Sequence, residues 1–300
     1  MINDMAPGAL ETELDNFVDI FRRLRPQSPG LRHAGFELYG DSRYLNGTAG
    51  GDHIVHVDFD QRYDLDRRIE VARRAGREDV VRELENNRHR VGVMLADVSG
   101  HSRTDALLAS MLHQAFLTGV LYELDLSGAV TPRLLEVLNT RFYNSGTVDR
   151  YVTLIYGEIW DSGRFRFISA GHPKPMVFSA RYGHLVDVAG KHIVNFFPLG
   201  MFPSEDDIDG RRRIPAPVAK KRYSVNQIDL MGSGDVLLLY TDGLSELARD
   251  DELYVPTHLE AILRQVTNRS AEEIFDAVIA DAVGFAVPED DLSLIVIKRH

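Results

Sequence analysis

Apolar positions recur along the chain at two spacings, which predict short strands and pairs of helices. Residues 8–24 carry apolar side chains at helical spacing and end before Pro26, so they predict an amphipathic helix. Apolar, β-branched runs predict strands over 33–40, 53–59, 91–98, 151–160, 163–170, 175–179, 227–231, 235–241 and 292–298. Helical spacing returns over 104–124, 131–145 and, as two helices, about 256–284. Strands joined mostly by hairpins between paired helices are typical of an α+β fold with antiparallel sheets.

The charged segment over 64–90 interrupts this pattern. Its apolar residues only partly follow one helical face, and Glu and Arg alternate at spacings that support an exposed helix. We interpret it as a solvated helical hairpin, with a partner-binding helix as the alternative. No linker-like stretch divides the chain, so we predict one domain over 31–300, with a helical extension over 1–30 and an insertion at about 61–90.

The amino-acid composition excludes several classes of protein. The net charge of −11 argues against a general nucleic-acid binder. The absence of cysteine excludes disulfide scaffolds, thiolate zinc sites and cysteine-nucleophile enzymes. No apolar run of membrane-spanning length and no secretory leader is present, so we expect a cytoplasmic protein without a membrane span. One basic cluster, Arg211–Arg213 with Lys220–Arg222, predicts a solvated loop or, alternatively, a dock for an acidic phosphoprotein.

Aspartates stand where the apolar strands meet loops: Asp52, Asp97, Asp242, Asp290 and Asp291. If those strand ends converge, the carboxylates share one small volume and raise one another's pKa, a cost that a divalent cation removes. All-oxygen sites suit hard ions such as Mg²⁺ or Mn²⁺. Each aspartate alone also has an ordinary explanation, as a turn residue, a cap or a solvated loop residue.

Six segments of the sequence, taken in their order along the chain, resemble the motifs of a known family. The segments are AGGD at 49–52, ADVSGHS at 96–102, SAGHPKP at 169–175, FPLGM at 197–201, GDVLLLYTDGLSE at 234–246 and EDDLSLIVI at 289–297. The chain resembles the SpoIIE-type serine/threonine phosphatases of the metal-dependent PPM (protein phosphatase 2C-like) superfamily over about 33–298. The resemblance implies a four-layer α-β-β-α sandwich of two antiparallel sheets flanked by helix pairs.

The resemblance also implies a mechanism, in which two Mn²⁺ or Mg²⁺ ions activate a water for attack on phosphoserine or phosphothreonine. It makes Asp97 the residue that bridges both metals and assigns Asp242 and Asp290 to one metal. Asp52, which it counts as catalytic together with Asp97, serves the other metal beside the carbonyl of Val98. Further residues are expected around these ligands: Asp291, Gly100, His101 and Gly243. Lys174 is expected to contact the substrate or a partner.

By resemblance the substrate is a phosphoserine protein, an anti-sigma-factor antagonist of the STAS type, and the N-terminal helix forms a homodimer. Val55 stands where many members have a second acidic residue. This departure motivates an alternative function, a catalytically weak scaffold that binds a phosphoprotein. A third hypothesis is hydrolysis of a small-molecule phosphate.

Three histidines have other expected roles. His53 and His56 are three residues apart on a predicted strand, so they face opposite sides and make a poor metal pair. His172 is expected to order its loop through hydrogen bonds.

Overall fold

The computed structural model describes residues 7–24, 29–45, 47, 49–99, 103–144, 150–187, 193–205, 207, 219–229 and 232–300. Two six-stranded sheets form its centre. Sheet I has the order β1 (Gly30–His33), β2 (Phe36–Arg43), β14 (Leu292–Arg299), β11 (Val236–Tyr240), β7 (Met176–Ser179) and β8 (His184–Val186). All of its neighbouring strands are antiparallel.

Sheet II is antiparallel along its main path. Its order is β10 (Asn226–Ile228), β6 (Phe165–Ala170), β5 (Val152–Trp160), β4 (Arg90–Val98) and β3 (Asp52–Asp58). The two-residue strand β9 (Asn195–Phe196) lies parallel to β6. A separate two-stranded ribbon joins β12 (Ala248–Arg249) to β13 (Glu252–Leu253).

Helices cover the outer face of each sheet. On sheet II lie α1 (Pro7–Leu24), α2 (Phe59–Arg62), α3 (Leu65–Arg74), α4 (Glu78–Asn86), α5 (Arg103–Ser127) and α6 (Pro132–Asn144). On sheet I lie α8 (Glu260–Val266) and α9 (Ala271–Phe285). The single-turn α7 (Asp242–Ser245) follows β11. The layers run helix, sheet, sheet, helix, as predicted.

The sequence of β4 shows why two sheets must pack on each other. Val91, Val93 and Leu95 belong to the apolar cluster between the sheets, whereas Met94 and Ala96 belong to the cluster under the helices. Successive side chains of a strand point to opposite faces, so a strand covered on both faces reads as a continuous apolar run. Position along a strand therefore fixes whether a side chain faces the other sheet or the helices.

The charged insertion is a helical hairpin, as predicted. Asp64 begins α3 by accepting a hydrogen bond from the backbone N–H of Arg67 at 3.0 Å. Helices α3 and α4 pack on each other, and α4 packs on α5. The buried side chains of the hairpin, among them Ile69 and Leu84, join the core under sheet II.

Two predictions about local structure need correction. The strand predicted over 33–40 contains the turn of a hairpin at Ala34 and Gly35, because β1 ends at His33 and β2 begins at Phe36. Lys220 is not solvated, because its ammonium lies buried against the Glu136 carboxylate at 2.8 Å; Arg211–Arg213 lie outside the described residues. In the described part of the chain, α5 meets the length and composition test for a membrane span over Asp105–Ser127, which a buried core helix also meets, and its Phe116 is fully buried in the core.

Candidate metal centre

Four strands bring polar side chains to one end of the space between the sheets. Asp52 on β3 lies opposite Asp97 on β4 in the antiparallel register. Asp97 lies two residues after Leu95 on β4, and Asp52 lies two residues before Ile54 on β3. Side chains two positions apart share a face of a strand, so both carboxyls point toward sheet I, as Leu95 and Ile54 do. Ser293 and Asp291 lie two and four residues before Ile295 on β14, so they point toward sheet II, as Ile295 does. The two sheets therefore close around a polar end.

Thr241 connects the sheets at this end. It directly follows β11, and its hydroxyl donates a hydrogen bond to Oδ2 of Asp52 at 2.8 Å. The same hydroxyl accepts the backbone N–H of Ser293 at 3.2 Å. Both contacts are buried, so they fix the Asp52 carboxyl at the edge of sheet II relative to β14 of sheet I.

Asp291 holds the loop that leads into β3. Its Oδ1 accepts the backbone N–H of Leu45 at 2.8 Å, and its Oδ2 faces the backbone N–H of Asp52 at 3.4 Å. A Cβ added to Gly50 would lie 1.8 Å from Oδ2 of Asp291, so only glycine permits this approach. Asp291 is itself buried, and its carboxylate is occupied by main-chain donors.

Asp97 carries the signature of a crowded acidic site. Burial, followed by the charges of Asp242, Asp290 and Asp291, raises the pKa of the Asp97 carboxyl to about 8. Burial and the charge of Asp97 likewise raise the pKa of Asp52 well above its usual range. Asp52 and Asp97 are opposite partners in the β3–β4 pair. Asp97 therefore lies within electrostatic reach of the other four predicted aspartates.

Asp242 and Asp290 form the more open side of the cluster. Burial and the charge of Asp290 raise the pKa of Asp242. Oδ1 of Asp290 accepts the backbone N–H of Asp291 at 2.8 Å. A Cβ added to Gly243 would lie 2.1 Å from the carbonyl oxygen of Asp291, so Gly243 permits close packing of α7 on the start of β14.

The chemistry of this donor set fits a hard divalent cation. The cluster consists of carboxylates and one hydroxyl, and like charges at this spacing are relieved by a cation or by protons. In the described part of the chain no group of three or more His, Asp or Glu side chains has a metal-holding arrangement. Burial and the neighbouring carboxylates raise the pKa of both Asp52 and Asp97, so either protons or a cation would relieve the repulsion at this site. The assignment of individual ligands thus stays a prediction.

Three more of the expected site residues, Val98, Gly100 and His101, and the departing residue Val55 have the following positions. Val98 ends β4, and its backbone N–H donates to the carbonyl of Gly51 at 3.3 Å. Gly100 and His101 lie outside the described residues. Val55 is buried in the apolar cluster on the helix side of sheet II, so it faces away from Asp52.

Lys174 is exposed beside the same end of sheet I. It lines a cavity of about 520 Å³ together with Met176, Asp187 and Tyr240. Tyr240 is the last residue of β11 and stands two residues before Asp242. Tyr240 packs in the apolar cluster under α8 and α9, so this cavity lies on the helix side of sheet I.

The histidines behave as the strand geometry predicts. His53 faces the helices, where its Nε2 lies 2.7 Å from Nδ1 of His113, whereas His56 lies beside Gly40 of sheet I. His172 orders its loop: its ring contacts the Thr153 hydroxyl at 3.0 Å, and burial lowers its pKa to about 3. His53 and His172 thus have polar partners, whereas Nε2 of His56 is buried without a hydrogen-bond partner among the described residues.

Sequence reasoning missed Thr241 and the loop contacts of Asp291. A polar residue at the end of the apolar run of β11 was a visible signal for Thr241. The Leu45–Asp291 contact joins residues 246 positions apart, so no local pattern announces it.

Comparison with known proteins agrees with this arrangement. The family model of Stage II sporulation protein E (SpoIIE) matches residues 87–300. Phosphoserine phosphatase RsbU of Bacillus subtilis is 24% identical over 215 residues, which cover 70% of this chain and 56% of RsbU. The SiaA-PP2C domain of Pseudomonas aeruginosa has a TM-score of 0.62 at 13% identity, covering 99% of both chains. RsbX in complex with magnesium has a TM-score of 0.53 at 13% identity, covering 90% of this chain and 98% of RsbX.

These likenesses show the fold, and the predicted α+β sandwich is confirmed. The chain spans little more than half the length of RsbU. The predicted division at residue 30 stays a prediction.

Proposed function

Because the chain belongs to the SpoIIE family of PP2C-like proteins, we propose that it is a metal-dependent phosphoprotein phosphatase acting on phosphoserine or phosphothreonine. The observation that carries the proposal is the convergence of Asp52, Asp97, Asp242 and Asp290 at one end of the two sheets. The name of RsbU as a phosphoserine phosphatase supports the substrate class. The RsbX structure with magnesium supports the class of metal.

The chain's own residues have separable parts in this reaction. We assign Asp97, Asp242, Asp290, Asp52 and the Val98 carbonyl as the groups that would hold two Mn²⁺ or Mg²⁺ ions, with Asp97 as the ligand common to both. Such ions would supply an activated water for attack on phosphorus. The Thr241 hydroxyl holds the Asp52 carboxylate in place, and the Asp291 carboxylate holds the loop before β3.

The exposed position of Lys174 supports a role in holding the substrate. Its ammonium is available to the phosphoprotein chain at the cavity beside Tyr240. It opposes the repulsion that a chain of net charge −11 exerts on a phosphorylated partner. As that partner we propose an anti-sigma-factor antagonist of the STAS type phosphorylated on serine, as the family resemblance implies.

The catalytically weak scaffold is not supported by the position of Val55. Since that side chain faces the helices, an acidic residue there would point away from the cluster along a regular strand. The substitution therefore removes nothing from the site between the sheets.

Phosphate release from a phosphoserine peptide and from an aryl phosphate tests the proposal, with Mn²⁺, Mg²⁺ or a chelator. We expect turnover that needs the metal and is lost in Asp97→Asn, while the exposed control Asp251→Asn keeps it. Turnover that survives chelation or the Asp97 substitution would overturn the proposed site. Metal binding without turnover under any condition would favour the scaffold.

We also propose a cytoplasmic homodimer that forms through α1. Helix α1 buries Phe21 against the ring of Tyr44 at 5.7 Å between centroids, whereas Ile20 is 60% exposed on the other side. Light scattering of wild type and Ile20→Glu checks this assembly, which a monomer at all concentrations would exclude.

A further inference from the structure

The insertion forms a pocket that the phosphatase reaction does not use. Helices α3 and α4 and the last turns of α5 enclose a cavity of about 500 Å³. Residues 59–90 contribute nine arginines against eight acidic residues, whereas the whole chain carries a net charge of −11. We call this cavity the insertion pocket. Its volume lies in the range of small-molecule sites, roughly 300–1,000 Å³.

The floor of the insertion pocket is apolar. Val80, Leu84 and Leu124 line it and are themselves buried. Val71 also lines it but is 61% exposed, on a helix whose other apolar residues face the core. Apolar surface of this kind favours a ligand with a flat or apolar group.

The rim of the insertion pocket is cationic, and two of its four arginines have structural duties. Arg77 donates to the carbonyl of Asp125 at 2.8 Å and also to that of Leu126, so it caps the end of α5. Arg68 forms an ion pair with the Asp125 carboxylate and lies over the Tyr63 ring, 5.5 Å from its centroid. These contacts fix the wall of the pocket.

The other two arginines keep their charge available. Within the described part of the chain, neither Arg62 nor Arg67 has a carboxylate partner. Arg62 and Tyr63 both line the rim, where burial raises the pKa of the Tyr63 hydroxyl and the positive charge of Arg62 lowers it by a smaller amount. Asp64, the remaining acidic residue of the rim, accepts the backbone N–H of Arg67 as the cap of α3.

Distance separates this pocket from the metal centre. Helix α5 begins at Arg103, a few residues after Asp97, and the pocket contacts it at Leu124 and Asp125. Twenty residues of α-helix span about 30 Å, so one molecule of pocket size cannot reach both places. A ligand in the insertion pocket would leave the acidic cluster free.

We propose that the insertion pocket binds a nucleotide-sized organic anion, whose charged group pairs with Arg62 and Arg67 and whose apolar or aromatic group rests on Tyr63 and Val71. Arginine suits this role because its planar guanidinium both pairs with phosphate or carboxylate and stacks on rings. The site is independent of the proposed phosphatase function, since none of its residues belongs to the acidic cluster.

Fluorescence titration with 1-anilinonaphthalene-8-sulfonate, an aromatic anion, tests the pocket in the full chain. The buffer contains a chelator, which keeps competing anions off the metal centre. The test variant is Arg62→Ala/Arg67→Ala, and the matched control is Arg82→Ala, an exposed arginine of α4 outside the pocket. AMP and inorganic phosphate then compete with the dye at constant ionic strength.

We expect the double variant to weaken dye binding at least about ten-fold, the loss of one charge-assisted contact, and Arg82→Ala to leave it unchanged. Val71→Glu, which adds a carboxylate at an exposed position of the floor, should weaken the dye to a similar extent. Equal dye affinity in the double variant and the control would overturn the site. If AMP displaces the dye no better than phosphate, the organic-anion assignment is wrong.

Discussion

Stability of the metal-free protein should fall as the pH rises from 5 to 7, because the Asp97 carboxyl must then lose its proton inside the acidic cluster. The folded pKa of Asp97 is about 8, against 3.8 in an unfolded chain. A carboxyl with a raised pKa favours the folded state below its unfolded pKa, and this contribution is lost as the pH rises through the folded value. The pH window of the effect is therefore about 4 to 8.

The magnitude follows from the same two values. Each pH unit inside the window costs about 1.4 kcal/mol, so the step from pH 5 to pH 7 lowers the free energy of unfolding by about 3 kcal/mol. For a chain of this length that corresponds to a fall in Tm of about 4 °C. Asp97→Asn cannot ionise and loses this component. In this variant the neighbouring carboxyls also ionise at lower cost, which further weakens the dependence of stability on pH.

Thermal unfolding followed by circular dichroism in chelator measures the effect for Asp97→Asn and the exposed control Asp251→Asn. The control reports the pH dependence that all other groups contribute. We expect the Tm of the control to fall by about 4 °C more than that of Asp97→Asn between pH 5 and pH 7. Parallel curves for the two variants would show that Asp97 is not held in a crowded acidic site.

Three further substitutions test the packing at the acidic cluster and the buried Lys220–Glu136 ion pair. Gly50→Ala places a Cβ 1.8 Å from the Asp291 carboxylate and should lower Tm by several degrees in a melting experiment; Gly284→Ala, with nothing within 4 Å of the added Cβ, should not lower it. Thr241→Val removes two buried hydrogen bonds and should cost about 1–3 kcal/mol in urea unfolding, and an unchanged midpoint would exclude the hydroxyl as a link between the sheets. Lys220→Met leaves a carboxylate without its buried cation and should cost about 3–5 kcal/mol, which a wild-type unfolding curve would contradict.

The sequence predicts most of the helices and strands because their buried faces require apolar residues at regular spacings. Strand β4 is covered on both faces and is apolar throughout, and α1 shows a clear amphipathic period. The positions of the aspartates at strand ends also follow from the sequence. Their convergence does not, since it depends on which strand ends meet when two sheets stack.

Contacts between distant segments account for what sequence reasoning missed. The strand predicted over 33–40 misses β1 because Gly30–His33 is short and has no apolar alternation, and β9 is too short to show a regular spacing. Lys220 looks solvated in a basic cluster, yet the fold brings Glu136 to it across 84 positions. A buried charge is decided by its partner, which the local sequence does not contain.

The adjacent aspartates at the start of β14 show how strand parity divides roles at the site. Neighbouring residues of a strand face opposite sides, so Asp290 and Asp291 cannot both face sheet II as β14 enters the sandwich. Asp291 has the inward parity of Ser293, and its oxygens are taken up by the loop before β3. Asp290 is left beside Asp242 on the more open side, where an ion can approach. The same parity directs Val55 to the helices and leaves Asp52 facing the cluster. Because side chains alternate between the two faces of each strand, only aspartates on the faces between the two sheets can lie in one cluster.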